Sequence, residues 1–317
     1  MNALAARGLT KRYDNVPAVD GLDLAIDEGT LYGFLGPNGA GKTTTLRMAL
    51  GLVFPTSGQV EILGTPVFRD GHTNPDAGRA LRGVGALVEE PAFWKYLSGR
   101  RNLECLARAA GPPDDREARL RRIDETLRVV GLEPAADKRV KAYSQGMRQR
   151  LGIAAALLGN PRLLLLDEPS NGLDPQGTRE VRMLLRRLAD EGTTVFVSSH
   201  LLAEVEAMCD QVGVLARGRL VAEGPPSNLR PSGSRVRVEV DDAQRALRVA
   251  SGLEGVVVEE HRDGARSFIA ALAPPATAAS LNAALVGAGV GVSALVPVHE
   301  RLEDVFVELV EGADDIR

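Results

Sequence analysis

The chain has 317 residues, of which 44% are hydrophobic and 25% are charged. This balance is typical of a folded protein with a core, and the length predicts about two domains. The formal net charge is −4, which argues against a broad cationic surface, so nucleic acid is not expected as a partner.

Two cysteines argue against a disulfide framework or a cysteine-based metal site. The first ten residues already carry Arg7 and lack the apolar stretch of a secretory signal. No run reaches the roughly 18 apolar residues that a membrane helix requires. The pattern predicts a cytosolic chain whose contact with a membrane comes through a partner.

Alternating apolar residues begin the predicted elements, with Leu22, Leu24 and Ile26 spaced as in a half-buried strand. A short apolar run at 31–35 predicts a buried strand. A glycine-rich stretch and then a helical pattern follow it. The order is therefore strand, glycine-rich loop and helix.

Helical patterns over 100–130 and 145–158 come next, and the first is rich in arginine. Apolar runs at 163–166 and 194–197 predict buried strands, with a helix at 179–190 between them. Strands that alternate with helices favour a parallel α/β sheet. We expect the helical stretch at about 89–160 to be an insertion on that sheet.

Proline and glycine clusters after a predicted hairpin mark a domain boundary, which divides the chain into domains 1–225 and 226–317. The second domain has the order β-α-β-β-α-β, which predicts a small ferredoxin-like α+β fold. An amphipathic helix at about 302–309 follows, with one apolar face. We expect that face to pack on its own domain, with a subunit contact as the alternative.

The glycine-rich stretch fits the P-loop pattern G-x-x-x-x-G-K-[ST]. Glycines let the backbone N–H groups surround a phosphate, the lysine adds a positive charge, and the threonine hydroxyl is placed to ligate Mg²⁺. The alternative is a glycine-rich turn with a chance lysine, which the flanking strand and helix disfavour. The candidate nucleotide-binding residues are Gly36, Pro37, Asn38, Gly39, Ala40, Gly41, Lys42, Thr43 and Thr44.

Asp167 and Glu168 end the apolar run at 163–166, and the carboxyl ends of strands carry the ligand sites of α/β sheets. We expect Asp167 to hold Mg²⁺ together with Thr43, and Glu168 to act as the general base toward water. Acidic residues after a strand are often only solvated turn residues. Their pairing with a P-loop favours the catalytic interpretation.

Together these motifs resemble the nucleotide-binding subunit of ATP-binding cassette (ABC) transporters over roughly the first 225 residues. The segment 143–149 resembles the family's signature loop, in which Ser144 and Gly146 would cap the γ-phosphate bound by the other subunit. It departs from the usual Leu-Ser-Gly-Gly-Gln at Gln145 and Met147. A chance helix cap is the alternative.

Three further residues have counterparts in this resemblance. Asp174 ends a segment similar to the D-loop, which crosses the dimer interface, and His200 resembles the switch histidine that contacts the γ-phosphate. Tyr13 resembles the aromatic residue on which adenine stacks. A structural histidine and a packed surface tyrosine are the alternatives. The resemblance makes Glu168 and His200 the catalytic pair.

Glu89 is the most informative departure, because such subunits usually carry glutamine there, where the side chain reaches Mg²⁺. Glutamate can also ligate Mg²⁺. A glutamate at this position resembles the pattern of the family branch that exports bacteriocins, lantibiotics and bacitracin-like peptides. The segment 302–309 resembles the ending of the daunorubicin-resistance branch.

The resemblance implies a P-loop NTPase fold with a helical insertion, ATP and Mg²⁺ as ligands, and a homodimer that closes on two ATP molecules. It also implies a separate integral-membrane permease, a cytoplasmic location at the inner face of the cell membrane, and export of a drug, antibiotic peptide or lipid-like substrate. One alternative is a soluble ABC ATPase that acts on ribosomes or DNA. Another is a P-loop kinase or GTPase.

Overall fold

The computed structural model describes residues 1–69, 72–89, 91–109, 115–229, 234–261 and 266–298. They form two compact units, Met1–Ser227 and 228–298, each with its own hydrophobic core. The division lies two residues after the expected end of the first domain at 225. The helix predicted at 302–309 lies outside the described residues.

The first unit contains both strands and helices, which alternate from β8 to β11 except for the three successive helices of the insertion. Its strands are β1 (Asn2–Tyr13), β2 (Val16–Asp27), β3 (Leu31–Leu35), β4 (Ser57–Ile62), β5 (Thr65–Pro66), β6 (Phe68–Arg69), β7 (His72–Thr73), β8 (Val84–Leu87), β9 (Leu163–Asp167), β10 (Thr194–Ser199), β11 (Gln211–Ala216) and β12 (Arg219–Gly224). Its helices are α1 (Lys42–Ala49), α2 (Ala77–Leu81), α3 (Gly99–Ala109), α4 (Arg116–Val129), α5 (Gln145–Leu157), α6 (Pro175–Asp190) and α7 (Leu202–Met208).

The main sheet has the order β12-β11-β3-β10-β9-β8, and every pair in it is parallel except β11 with β12. Strands β3, β9 and β10 are buried along their whole length, because both faces of the sheet are covered by other elements. The expected parallel α/β sheet is therefore confirmed. Because β10 lies between β3 and β9, the ends of those two strands are about 10 Å apart.

A second, antiparallel sheet with the order β2-β1-β4-β5 packs on the main sheet. Of its strands, the sequence pattern predicted only β2. Both sheets contribute to one core, in which Leu4 and Ile26 join Phe34, Leu46 and Phe196. The Phe34 and Phe196 rings lie 5.2 Å apart. This core holds β3 and α1, and thus the loop between them.

The expected helical insertion is present as α3, α4 and α5, which pack on one another between β8 and β9. Helix α6 begins at Pro175, four residues before the predicted start at 179. The Asp174 carboxylate accepts a hydrogen bond from the Gly177 N–H, and a proline occupies the first turn. Both features stabilise a helix start, so the apolar pattern alone placed it too late.

The second unit contains β13 (Ser234–Val240), α8 (Ala243–Ser251), β14 (Val256–His261), β15 (Ser267–Leu272), α9 (Ala278–Gly287) and β16 (Val292–Val298). Its sheet is antiparallel with the order β14-β15-β13-β16. That order agrees with the predicted ferredoxin-like topology. Leu281 and Leu285 of α9 share a core with Val236, Val238 and Phe268 of the sheet.

Candidate functional site

The loop between β3 and α1 lies so close to neighbouring backbone that two of its glycines could not be replaced by a residue with a side chain. Gly41 has φ +109°, and a Cβ there would lie 2.2 Å from the Ala18 carbonyl oxygen. A Cβ on Gly36 would lie 2.5 Å from the Leu215 carbonyl oxygen. Glycine is therefore required at both positions. The remaining predicted loop residues lie between these glycines or in the first turn of α1: Pro37, Asn38, Gly39, Ala40, Thr43 and Thr44.

The Lys42 side chain is only 5% exposed and turns back over this loop. Its Nζ donates hydrogen bonds to the carbonyl oxygens of Gly36, at 2.7 Å, and Pro37, at 3.1 Å. The same Nζ lies 3.3 Å from Glu168 Oε1. These partners satisfy the buried ammonium group. They also place a positive charge between the loop and the Glu168 carboxylate, which follows β9.

Asp167 and Thr43 meet although they come from different strand ends. The Thr43 hydroxyl donates to Asp167 Oδ2 at 2.7 Å. On the other side, Ser198 of β10 donates to Asp167 Oδ1 at 2.5 Å and accepts from the Glu168 N–H at 3.0 Å. Ser198 thus fills the space between β3 and β9. Sequence reasoning missed it, although a serine at the end of an apolar strand was a usable signal.

Glu168 has a left-handed backbone, with φ +45°, which is uncommon outside glycine and concentrates at functional sites. Its Oε2 lies 3.1 Å from His200 Nδ1, and its Oε1 faces Lys42. The structure therefore brings together Lys42, Glu168 and His200, which the sequence predicted separately.

A cavity of about 560 Å³ opens beside these groups. Its walls include Thr43, Asp167, Glu168, Glu89 and Gln145. Residues of the P-loop, of the strand-end carboxylates and of the signature segment thus face one space. Five of the predicted site residues, all in the part of the chain that the structure describes, do not line this cavity: Tyr13, Ser144, Gly146, Asp174 and His200.

Glu89 lies in the loop after β8 with a left-handed backbone, φ +66°, and a side chain that is 60% exposed. Its carboxylate forms an ion pair with the Arg47 guanidinium of α1. Sequence reasoning missed Arg47, because nothing in the sequence pattern around it indicates a partner so far along the chain.

The signature segment caps α5, where the Ser144 hydroxyl accepts from the Met147 N–H at 3.2 Å. The Gln145 amide donates to the Asn171 carbonyl oxygen at 3.3 Å. It lies so close to Gly172 that a Cβ there would be 2.3 Å from Gln145 Nε2. The unusual Gln145 therefore joins the signature segment to the segment that ends in Asp174. Asp174 itself caps α6.

Tyr13 ends β1, and its side chain is 45% exposed. The Lys11 Nζ lies 5.1 Å from the centre of its ring. An exposed aromatic face remains compatible with stacking, but this ring is not part of the cavity lining.

Comparison with known proteins identifies the family. Residues 19–171 match the family model described as ABC transporter. The bacitracin transport ATP-binding protein BcrA of Bacillus licheniformis is 40% identical over 307 residues, which cover 96% of each chain. The daunorubicin/doxorubicin resistance ATP-binding protein DrrA of Streptomyces peucetius is 40% identical over 269 residues, or 82% of this chain and 78% of DrrA.

Solved structures of ABC transporter cassettes are also similar to this chain. cbiO1 of Clostridium perfringens, part of an ABC transporter complex, has a TM-score of 0.65 and 28% identity, and the match covers 72% of this chain and 90% of cbiO1. An ATP-binding cassette solved as a dimer with ADP and phosphate has a TM-score of 0.63 and 26% identity, and the match covers 70% and 98% of the two chains.

The chain belongs to the ABC transporter family and is an ATP-binding, ATP-hydrolysing subunit. Cassettes of this family bind ATP or ADP, form dimers and work with membrane permeases. The predicted P-loop NTPase fold and ATPase class are confirmed, and the relatives do not support the ribosome-, DNA-, kinase- or GTPase-type alternatives. Within the part of the chain that the structure describes, no helix has the length and apolar character needed to cross a membrane.

Proposed function

We propose that two copies of this chain close on two ATP molecules and drive a separate integral-membrane permease that exports a drug, an antibiotic peptide or a lipid-like compound. The observation that carries this proposal is the similarity to the bacitracin transport protein BcrA, which extends over 96% of the chain and therefore includes the second unit. The glutamate at position 89 and the likeness to a daunorubicin-resistance protein favour the same class of cargo.

The loop from Gly36 to Thr43 binds the phosphates of ATP through its backbone N–H groups and Lys42. Thr43 and Asp167 fit Mg²⁺, because their hydroxyl and carboxylate oxygens converge and are donors that this ion prefers. Glu89, which lines the same cavity, is the third candidate ligand. When bound, Mg²⁺ neutralises phosphate charge.

Glu168 accepts a proton from the water that attacks the γ-phosphorus, while the bond from that phosphorus to the bridging oxygen breaks and ADP leaves with the bonding electrons. The proton passes from Glu168 to the products. Lys42 and His200, on either side of this carboxylate, orient it. His200 also contacts the γ-phosphate.

The partner copy completes each site. Ser144 and Gly146 at the start of α5 supply a helix N-terminus to the γ-phosphate bound by the other copy. Asp174 orders the segment that crosses the interface, and Tyr13 stacks on adenine. These four residues do not line the cavity within one chain, which is expected if Tyr13 contacts the adenine ring and the other three act on the site of the partner copy.

We place the chain in the cytoplasm, on the inner face of the cell membrane, because the permease must supply the membrane-spanning part of the transporter. The net charge of −4 gives no support to a nucleic-acid partner.

Glu168→Gln tests the chemistry. The variant keeps the shape of the side chain but cannot take the proton, so ATP turnover falls by about 10²- to 10⁴-fold. ATP binding persists, and gel filtration with ATP shows a stable dimer. A variant that hydrolyses ATP at nearly the wild-type rate would remove Glu168 as the base.

Purification of the tagged chain from native membranes tests the partner. A co-purifying polytopic protein encoded as a separate chain supports the proposal. Recovery with ribosomes or DNA instead, with no membrane protein present, would overturn it. Loss of export of bacitracin-like peptides or anthracyclines in a strain that carries Glu168→Gln then identifies the cargo class.

A further inference from the structure

Glu204 is a buried carboxylate that the proposed hydrolysis does not use. It lies in the first turn of α7, and the residue is only 8% exposed. Its Oε2 accepts a hydrogen bond from the Ser170 hydroxyl at 2.5 Å and lies 3.5 Å from the Ser199 hydroxyl. A carboxylate is costly to bury, and two hydroxyl groups converge on one of its oxygens.

Both serines belong to segments that carry reacting groups. Ser170 follows Glu168 by two residues, and its carbonyl oxygen accepts from the Leu173 N–H at 3.1 Å in the turn toward Asp174. Ser199 directly precedes His200, and its hydroxyl accepts from the Leu201 N–H at 3.0 Å. Glu204 thus contacts both the segment after β9, through Ser170, and the end of β10, through Ser199.

We infer that Glu204 is a positioning residue for ATP hydrolysis, which holds these two segments so that Glu168 and His200 stay in contact. This inference rests on the proposed roles of that pair. Glu204 itself touches neither of them, so it acts through Ser170 and Ser199. The hydrogen bond from Ser170 is short and therefore the stronger of the two, and the longer contact with Ser199 links the same carboxylate to the end of β10.

A purely structural role and a positioning role predict different kinetics. Loss of a structural contact reduces the amount of folded protein and leaves the kcat per nucleotide-binding site unchanged. Loss of a positioning contact reduces kcat per binding site and alters the pH dependence of kcat, because the Glu168–His200 geometry changes. Nucleotide affinity is set mainly by the P-loop and is expected to stay constant.

The test compares Glu204→Ala, Glu204→Gln, Ser170→Ala and the Ser170→Ala/Glu204→Ala double variant of the full-length chain. We expect Glu204→Ala to lower kcat per binding site by about 10- to 100-fold, with the dissociation constant of a fluorescent ATP analogue within about twofold of wild type. Glu204→Gln keeps an acceptor for Ser170 and recovers part of kcat. The double variant is no slower than the slower single variant, because both remove one contact.

Glu191→Ala is the matched control, since Glu191 is an exposed glutamate just after α6. Wild-type kcat and pH profile in both Glu204 variants would overturn the inference, and so would additive losses in the double variant. If Glu204→Ala does not fold, Glu204→Gln and Ser170→Ala decide the question. Glu168→Gln is measured in parallel: if it also retains turnover, the proposed function fails, and if only the Glu204 variants retain it, the inference alone fails.

Discussion

Arg47 of the P-loop helix forms an ion pair with Glu89, which lies in the loop after β8. A glutamate there adds a negative charge to a cavity that already contains Asp167 and Glu168 and that is expected to receive a triphosphate. Arg47 offsets that charge. The pair is half exposed, so we expect it to contribute little to folding and to act on the electrostatics of the cavity.

Arg47→Gln is therefore expected to weaken ATP binding by about three- to tenfold, because Glu89 is left uncompensated near the phosphates. The Arg47→Gln/Glu89→Gln double variant restores affinity to nearly the wild-type value, since it removes both charges. Titration with a fluorescent ATP analogue, with and without Mg²⁺, measures each affinity.

Arg162→Gln serves as the control for this cycle, because Arg162 pairs with Glu28 at the opposite ends of the strands. It should bind ATP as the wild type does. If the double variant binds no better than Arg47→Gln, the two charges do not compensate each other in the cavity.

Lys42→Ala is expected to reduce ATP affinity by at least about tenfold, because the positive charge next to the phosphate loop is lost. Lys42→Arg should not restore it, since the larger guanidinium cannot occupy the buried space over the Gly36 and Pro37 carbonyl oxygens. Calorimetric titration with ATP measures the affinity, and unchanged binding in Lys42→Ala would refute the P-loop assignment.

The two cysteines differ in reactivity. Burial raises the pKa of the Cys209 thiol, and Asp210 raises it further, whereas Cys105 is exposed on α3. Since the thiolate is the reacting form, Cys209 stays protonated and slow at pH 8. We expect one fast equivalent of Ellman's reagent per chain, and a second that reacts at least about 100-fold more slowly until guanidinium unfolds the protein.

Cys105→Ser identifies the fast thiol, because it should abolish the fast phase and leave the slow one. Two fast equivalents in the folded wild-type protein would show that Cys209 is accessible.

A chain of residues 1–227 is expected to fold and bind ATP, because the core of the first unit is built from residues within that range and the second unit has a separate core. ATP affinity within about twofold of the full-length chain, together with one cooperative thermal transition, supports this boundary. Aggregation of the shorter chain at all protein concentrations tested would show that the boundary is misplaced.

The sequence allowed prediction of those parts of the site whose chemistry is encoded in consecutive residues. The P-loop and the Asp167–Glu168 pair follow short apolar runs that favour buried strands, so their placement at one sheet edge could be expected. Arg47 and Glu204 could not be assigned in this way, and Ser198 was missed although it lies at the end of an apolar strand. Each acts through a partner that only tertiary packing brings near, and serine, arginine and glutamate occur in many unrelated contexts.

The fold shows the same difference. The buried strands β3, β9 and β10 are short apolar runs and were predicted, whereas β1 and β4 were not. Neither strand shows a regular alternation of buried and exposed residues: Ala3 to Ala6 of β1 are all buried, and a bulge interrupts the pairing of β1 with β4. Only the hydrogen-bonded pairing of β1 with β2 and with β4 shows that these strands form a sheet.

In the second unit, β13 and β16 pair in opposite directions, with Arg235 across from Val298. The first and the last described strands of this unit are therefore neighbours. A unit whose ends are neighbours can be gained, exchanged or lost in one event during evolution, because a short linker rejoins the chain without disturbing the rest of the fold. Exchange of the whole second unit, from residue 228 onward, between relatives of this ATPase should accordingly yield folded hybrids.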